Sequence, residues 1–189
     1  MANEDRPSGA KPVSTLSGSS WAGHVREYSV DASNATAIFR GDFVALEADG
    51  NITPATAGTT NPILGVVVGI VVDKGVAATE HPGYLPASTA GTVKVCVGPD
   101  IIYEIQSDDV SATLDAASVG ANVAFIAGAG STTTGNSAHE IDADTLTVAG
   151  SEQLRILDTV NREDNEVGAV NQKFLVIIHE SHFKSTNGI

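Results

Sequence analysis

Short apolar stretches of period two, each closed by Gly, Pro, Asn or Asp, follow one another from Gly41 to Gln106. That alternation places successive side chains on opposite faces of a strand, and the punctuation keeps each strand short. Gly41-Asp42-Phe43-Val44-Ala45-Leu46-Glu47 runs into Ala48-Asp49-Gly50-Asn51, a tight-turn signal that predicts a hairpin or a sharp reversal. Leu64 to Val72 is β-branched and interrupted by Gly65 and Gly69, which predicts a central strand with a bulge or a close backbone approach.

The run from Thr92 to Gln106 yields the sharpest local expectation. With a three-residue turn at Gly98-Pro99-Asp100, Val93, Val95 and Val97 share an inner face with Ile101, Tyr103 and Ile105. Lys94, Cys96, Glu104 and Gln106 are then expected on a wet face. Helix formers gather only at Thr113-Leu114-Asp115-Ala116-Ala117, within Asp109 to Val119, enough for one or two turns. Strand resumes at Val119 to Ile126, whereas Gly128 to Ser137 reads as a low-complexity loop. Gln153 to Val160 and Lys173 to His179 read as two further strands around the charged loop Asn161 to Glu166. Eight or more short strands without alternating helices predict an all-β fold, a barrel or sandwich of short antiparallel strands with at most one short helix.

Ahead of the strands lies a different kind of sequence. Residues 1 to 20 are rich in Ser, Gly and Pro and offer few large apolar side chains beyond Val13 and Leu16. Such a segment is either disordered or an extended arm that orders against a partner surface, because fixing each backbone residue costs roughly 1–2 kcal/mol. Trp21 stands where arm meets domain, either as an anchor for the arm or as ordinary core. The expected organisation is an N-terminal arm over residues 1–25 and one all-β domain over 26–189. A chain of 189 residues can bury one sizeable core, and a single core stays efficient up to roughly 250 residues.

A formal charge of −13 repels phosphate backbones and anionic lipid, so neither nucleic acid nor a membrane is an expected partner. The longest apolar run, Ile63 to Val72, is far shorter than the ~18 residues of a spanning helix. The opening residues carry acid before base and no apolar stretch, unlike a secretory signal. Cys96 is the only cysteine, so no internal disulfide forms, and its place in a strand reads as packing rather than as a nucleophile.

Chemistry-bearing patterns are sparse. His179-Glu180-Ser181-His182 invites a metal reading, but residues three apart on a strand face opposite sides and a helical His-Glu-x-x-His arrangement is missing. Asp108-Asp109, Asp142 with Asp144, and Glu163-Asp164 with Glu166 lack the oxygen-ligand spacing of a calcium loop. A cation bridging such loops between subunits would leave no linear motif and stays open. There is no Gly-x-Ser-x-Gly elbow, and Gly128-Ala129-Gly130 has no following Lys or helix to make a phosphate loop. No cofactor, metal site or catalytic residue is expected, and the chain does not read as an enzyme.

The order of segments resembles a known class of proteins. Gly41-Asp42-Phe43-Val44, Asp49-Gly50-Asn51-Ile52, Gly65-Val66-Val67-Val68-Gly69, Tyr84-Leu85-Pro86, Val93-Lys94-Val95 and Tyr103-Glu104-Ile105-Gln106 look like the small virion structural proteins of tailed bacteriophages, in particular capsid decoration or cement proteins. Asn122-Val123-Ala124-Phe125, Gly135-Asn136-Ser137 and Asn165-Glu166-Val167-Gly168 continue the likeness, which spans roughly residues 28 to 182. The resemblance implies a protein made in the host cytoplasm that binds the outer surface of an assembled capsid and stabilises it. Its implied partners are the major capsid protein and further copies of itself. Val13, Leu16 and Trp21 are the residues expected to touch the capsid. The competing reading is a tail- or fibre-associated receptor- or carbohydrate-binding module, which needs exposed aromatic side chains that this chain has few of.

Overall fold

The computed structural model describes residues 3–58, 60–71, 83–108, 114–148, 150 and 152–184. Among these residues eleven strands form: β1 (Lys11–Thr15), β2 (Val25–Val30), β3 (Phe43–Leu46), β4 (Ile52–Pro54), β5 (Gly65–Ile70), β6 (Gly91–Val97), β7 (Ile101–Gln106), β8 (Asn122–Ser131), β9 (Asn136–Thr147), β10 (Leu154–Thr159) and β11 (Lys173–Ile178). They make two antiparallel sheets, ordered β1-β7-β11-β10-β8-β9 and β2-β6-β5-β3-β4. Helix among the described residues is confined to two single 3-10 turns, Trp21–His24 and Ala116–Ser118. The fold is all-β and sandwich-like, as the sequence pattern predicts.

Both sheets curl. In the six-stranded sheet β9 returns to the end of β7 through a parallel bridge between Ser107 and Ile141, where the Asp108 N–H donates to the Ile141 carbonyl at 3.0 Å. In the five-stranded sheet the outer strands β2 and β4 touch each other. Closure of this kind leaves fewer unpaired strand edges.

Two apolar clusters result. One gathers Ile101, Tyr103, Phe125, Ile156, Phe174 and Val176 of the first sheet with Phe43, Val66 and Cys96 of the second. The other gathers Val44, Val67, Val93, Val95 and Val97 with Val30, Ile38, Ile52, Leu64 and Leu85. The five-stranded sheet is therefore buried on both faces, and burial on both faces is why Val66-Val67-Val68 reads as a continuous apolar run.

This arrangement corrects the expected hairpin at Thr92 to Gln106. β6 and β7 lie in different sheets, so Gly98-Pro99-Asp100 carries the chain across the sandwich and Val93, Val95 and Val97 serve a different core from Ile101, Tyr103 and Ile105. The predicted wet face is also wrong at two positions: Cys96 is fully buried and Gln106 is nearly so. Tyr103 spans the sheets and donates its hydroxyl to the Cys96 carbonyl at 3.2 Å. Burial pushes the Cys96 thiol up to about 11, consistent with a packing cysteine.

A second correction concerns Gly128 to Ser137. It is the closing half of a long hairpin, in which β8 and β9 pair from Asn122↔Thr147 to Ser131↔Asn136. Small side chains there serve close approach rather than looseness. A Cβ on Gly130 would run into the Phe39 ring, and one on Gly128 into the Ala138 carbonyl. Asp142 and Asp144 consequently lie on β9, not in a loop.

The helix formers give only Ala116–Ser118, capped by Asp115, while Asp109 to Thr113 lie outside the described residues. Val72 and the Asp73-Lys74 that end the expected central strand also lie outside them.

The N-terminal segment, expected as an arm over 1–25, is extended but rests on its own domain. Lys11 pairs with Glu104 and Thr15 with Ile101, making β1 an edge strand on β7. Ahead of it, Gly9 at φ +69° fits against the Gly41 carbonyl and Ser137, where a Cβ would fall 2.5 Å from both. Replacing Gly9 with Ala adds left-handed strain of about 1–2 kcal/mol to that clash. The expected result is release of residues 3–10, seen as rapid hydrogen exchange of the Ala10 amide, which otherwise donates to the Gly41 carbonyl at 3.0 Å. Unchanged protection in Gly9→Ala would show that the fit is not tight.

Candidate interaction surface

Side-chain clasps rather than apolar burial hold residues 3–8 down. Asn3 donates to the Glu166 and Val170 carbonyls at 3.0 Å each and accepts from the Glu166 N–H at 2.7 Å. Gln106 donates to the Glu4 carbonyl at 2.8 Å and accepts from the Arg6 N–H at 3.3 Å. Those two amides explain why so polar a stretch is ordered on its own domain. An amide clasp depends on distant residues, so no local pattern announces it.

The three expected contact residues fall on this segment and divide into two kinds. Val13 sits at a register break between Pro12 and Ser14 and is 48% exposed, while Leu16, just past β1, is 56% exposed. Trp21 opens the first 3-10 turn, half-buried against the main core. The free edge of β1 is poorly suited to adding another strand. Pro12 has no N–H, the break at Val13 disturbs the ladder, and the Thr15 N–H is already used by the Ser19 carbonyl at 3.1 Å.

Beside this edge run two adjoining cavities that share Ser8, Lys11 and Asn136 as walls. The smaller, about 260 Å³, is lined by Trp21, Pro12, Val67, Val68 and Arg40. The larger, about 730 Å³, lies between the N-terminal segment, the β8–β9 turn and Lys173, with Arg6, Glu4, Ser131, Thr134 and Asp164 on its walls. Next to it Arg162 makes a bidentate pair with Glu104 at 2.9 Å and reaches Asp164 at 2.7 Å. Arg162 and Lys173 together hold the Asp164 carboxyl well below its usual range.

Deeper in, the structure assembles a polar centre that the sequence pattern does not reveal. Asp42 and His139 are both buried, with His139 Nε2 3.4 Å from Asp42 Oδ1. The Phe39 N–H donates to Asp42 Oδ2 at 2.7 Å, and Ser137 bonds the same carboxylate. His139 Nδ1 accepts from the Phe43 N–H at 3.2 Å, which leaves the imidazole proton on Nε2, facing Asp42. Burial pushes Asp42 up to about 6 and His139 down to about 4, so the contact is between a neutral imidazole and a carboxylate at neutral pH. Phe125, 5.1 Å from the imidazole and nearly parallel to it, supplies much of that dry surrounding.

A cavity of about 380 Å³ opens beside the pair, walled by Phe39, Pro54 and Ala127 to Gly130. The order of contacts does not make an activated serine. Ser137 and His139 both address Asp42, whereas a nucleophilic relay needs His between Ser and Asp. The arrangement can anchor β9 to the Phe39–Phe43 turn.

The other candidate residues separate. His179 Nδ1 lies 3.0 Å from the Glu152 carbonyl ahead of β10, while His182 Nε2 accepts from the Leu46 N–H of β3 at 3.2 Å, so the two imidazoles address different segments. Asp108 uses Oδ1 to accept from the Ala143 N–H at 3.1 Å, and Asp109 lies outside the described residues. Burial, then the neighbouring Asp108, raises the Asp142 carboxyl. Among the described residues, Asp31, Glu47 and Asp49 do converge, with ligand atoms within 4.8 Å of one another. They come from separate segments, beyond the reach of a spacing argument. Asp31 and Asp49 already cap local turns through Ser33 and Asn51.

Set against known protein families, characterised proteins and solved structures, the chain matches none of them.

Proposed function

We propose that this chain is a structural virion protein that binds the outer surface of an assembled phage capsid and stabilises the shell, as a decoration or cement protein. The observation that carries the reading is the ordered N-terminal edge, which holds exposed Val13 and Leu16 on a rigid two-sheet body. Apolar side chains fixed in advance contact a partner without the ordering cost that a loose arm would incur on binding. Attachment then runs through side chains, since Pro12 and the break at Val13 disfavour strand addition. The partner is the major capsid protein, and further copies of this chain share the lattice. Many modest contacts repeated over a shell give strong retention through effective concentration. The role requires no chemistry, in keeping with the internal commitments of Ser137, His139 and Asp42.

The test is the double variant Val13→Asp/Leu16→Asp. Both side chains are exposed, so the variant should fold and keep its melting temperature, while retention on cognate phage shells stripped of decoration falls about tenfold or more. Undiminished retention of the variant would remove this edge from the contact, and failure of the unaltered chain to bind any such shell would end the proposal.

A further inference from the structure

We propose that the groove formed by the two joined cavities beside β1 binds an acidic oligosaccharide, one bearing carboxylates such as uronic acid units. This inference does not rest on shell binding, although the groove adjoins the edge that carries Val13 and Leu16 and takes in Trp21.

Charge is the first argument. The whole chain has 10 Lys and Arg against 23 Asp and Glu. Along the groove the balance inverts: Arg6, Lys11, Arg40 and Lys173 face only Glu4 and Asp164. Lys173 and Asp164 offset each other at 3.0 Å, with Arg162 also on that carboxylate, and Arg6 makes only a loose 3.6 Å approach to Glu4. Lys11 pairs with no carboxylate among the described residues. A cationic island on an acidic molecule concentrates an anion there while the surrounding surface repels it.

Hydrogen-bonding capacity is the second. Ser131 Oγ accepts from the Thr134 N–H at 3.2 Å, Thr134 Oγ1 from the Asn136 N–H at 3.4 Å, and Asn136 Oδ1 from Arg40 at 3.2 Å. Each of these oxygens spends one lone pair inside the wall, while the Arg6, Lys11, Arg40 and Lys173 side chains on the walls are donors only, so the matching ligand is rich in acceptors. A uronate supplies carboxylate, ring and hydroxyl oxygens.

The third is Trp21, an apolar aromatic wall at one end on which the C–H face of a sugar ring can pack. An acidic peptide fits less well. One that docks by extending a sheet edge meets an edge interrupted at Pro12 and Val13.

Trp21 is the only tryptophan in the chain, so its emission reports on this groove alone. Titration of the intact protein with trigalacturonate should change that emission saturably, with matching heat by calorimetry. Neutral trigalactose should bind about tenfold more weakly, and Lys11→Glu should weaken trigalacturonate about fivefold or more, with the loss reproduced by raised salt. Lys11→Gln, which removes the charge without reversing it, should fall between and guards against misfolding of the first variant. Neither heat nor emission change at roughly 5 mM sugar, about five times the dissociation constant of a 1 mM site, would overturn the proposal. Equal affinity for the neutral sugar would also overturn it. So would a hexaglutamate peptide that binds as tightly as the uronate, by assigning the groove to acidic peptide.

Discussion

Phe43→Ala should destabilise the fold by about 3–5 kcal/mol in denaturant unfolding, the range for truncating a fully buried aromatic. Phe43 belongs to the five-stranded sheet, yet its ring enters the core of the other. It lies 4.9 Å from Phe125, edge-on to Tyr103 at 6.5 Å and stacked near His139 at 6.0 Å. Its removal therefore opens the seam between the sheets. The void also admits solvent next to His139, so the imidazole should titrate closer to its ordinary 6.5, measurable by proton NMR. A loss under about 1 kcal/mol would mean that the seam closes without this ring.

Asp42→Asn and His139→Gln should tilt the stability-versus-pH curve in opposite directions. Asp42 keeps its proton up to about 6 when folded, against 3.8 ordinarily, so the folded state binds more protons in that window and stability falls as pH rises through it. His139 takes up a proton only near 4 when folded, against 6.5, so the unfolded state binds more protons and stability falls as pH drops through that window. Each swing is about 3 kcal/mol, from shifts of roughly two units at 1.36 kcal/mol each. In the unaltered protein the two oppose each other and nearly cancel between pH 4 and 6. Asp42→Asn leaves the histidine arm, with stability lost toward acid, and His139→Gln leaves the aspartate arm, with stability lost toward neutral. Parallel curves for both variants would show that the two groups do not titrate as described.

The period-two pattern conveyed the all-β class and most strands, because alternation follows directly from strand geometry. What it could not convey was which sheet each strand joins. Gly98-Pro99-Asp100 has the composition of a hairpin turn, and only the burial of Cys96 on the supposedly wet face distinguishes a crossing between sheets. β9 was missed because its inward positions are Ser137, His139, Ile141 and Ala143, an alternation of small and polar groups instead of large apolar ones. The Asp42 centre was hidden for the same reason, since its members come from β9 and the turn before β3. Val13 and Leu16 were legible as rare apolar side chains in a polar segment. The clasps of Asn3 and Gln106 that fix them were not, because both reach residues far away in sequence.

Among the described residues the first strand finds its ladder partner in β7, and Asn3 closes over the loop that precedes β11. During synthesis β1 must therefore wait for β7, and Asn3 for Glu166 and Val170. Such distant pairing slows acquisition of the native state relative to proteins built from neighbouring contacts. The N-terminal edge should thus be the last part to lock in refolding and the first to loosen, so the proposed contact through Val13 and Leu16 would form only on a fully folded molecule.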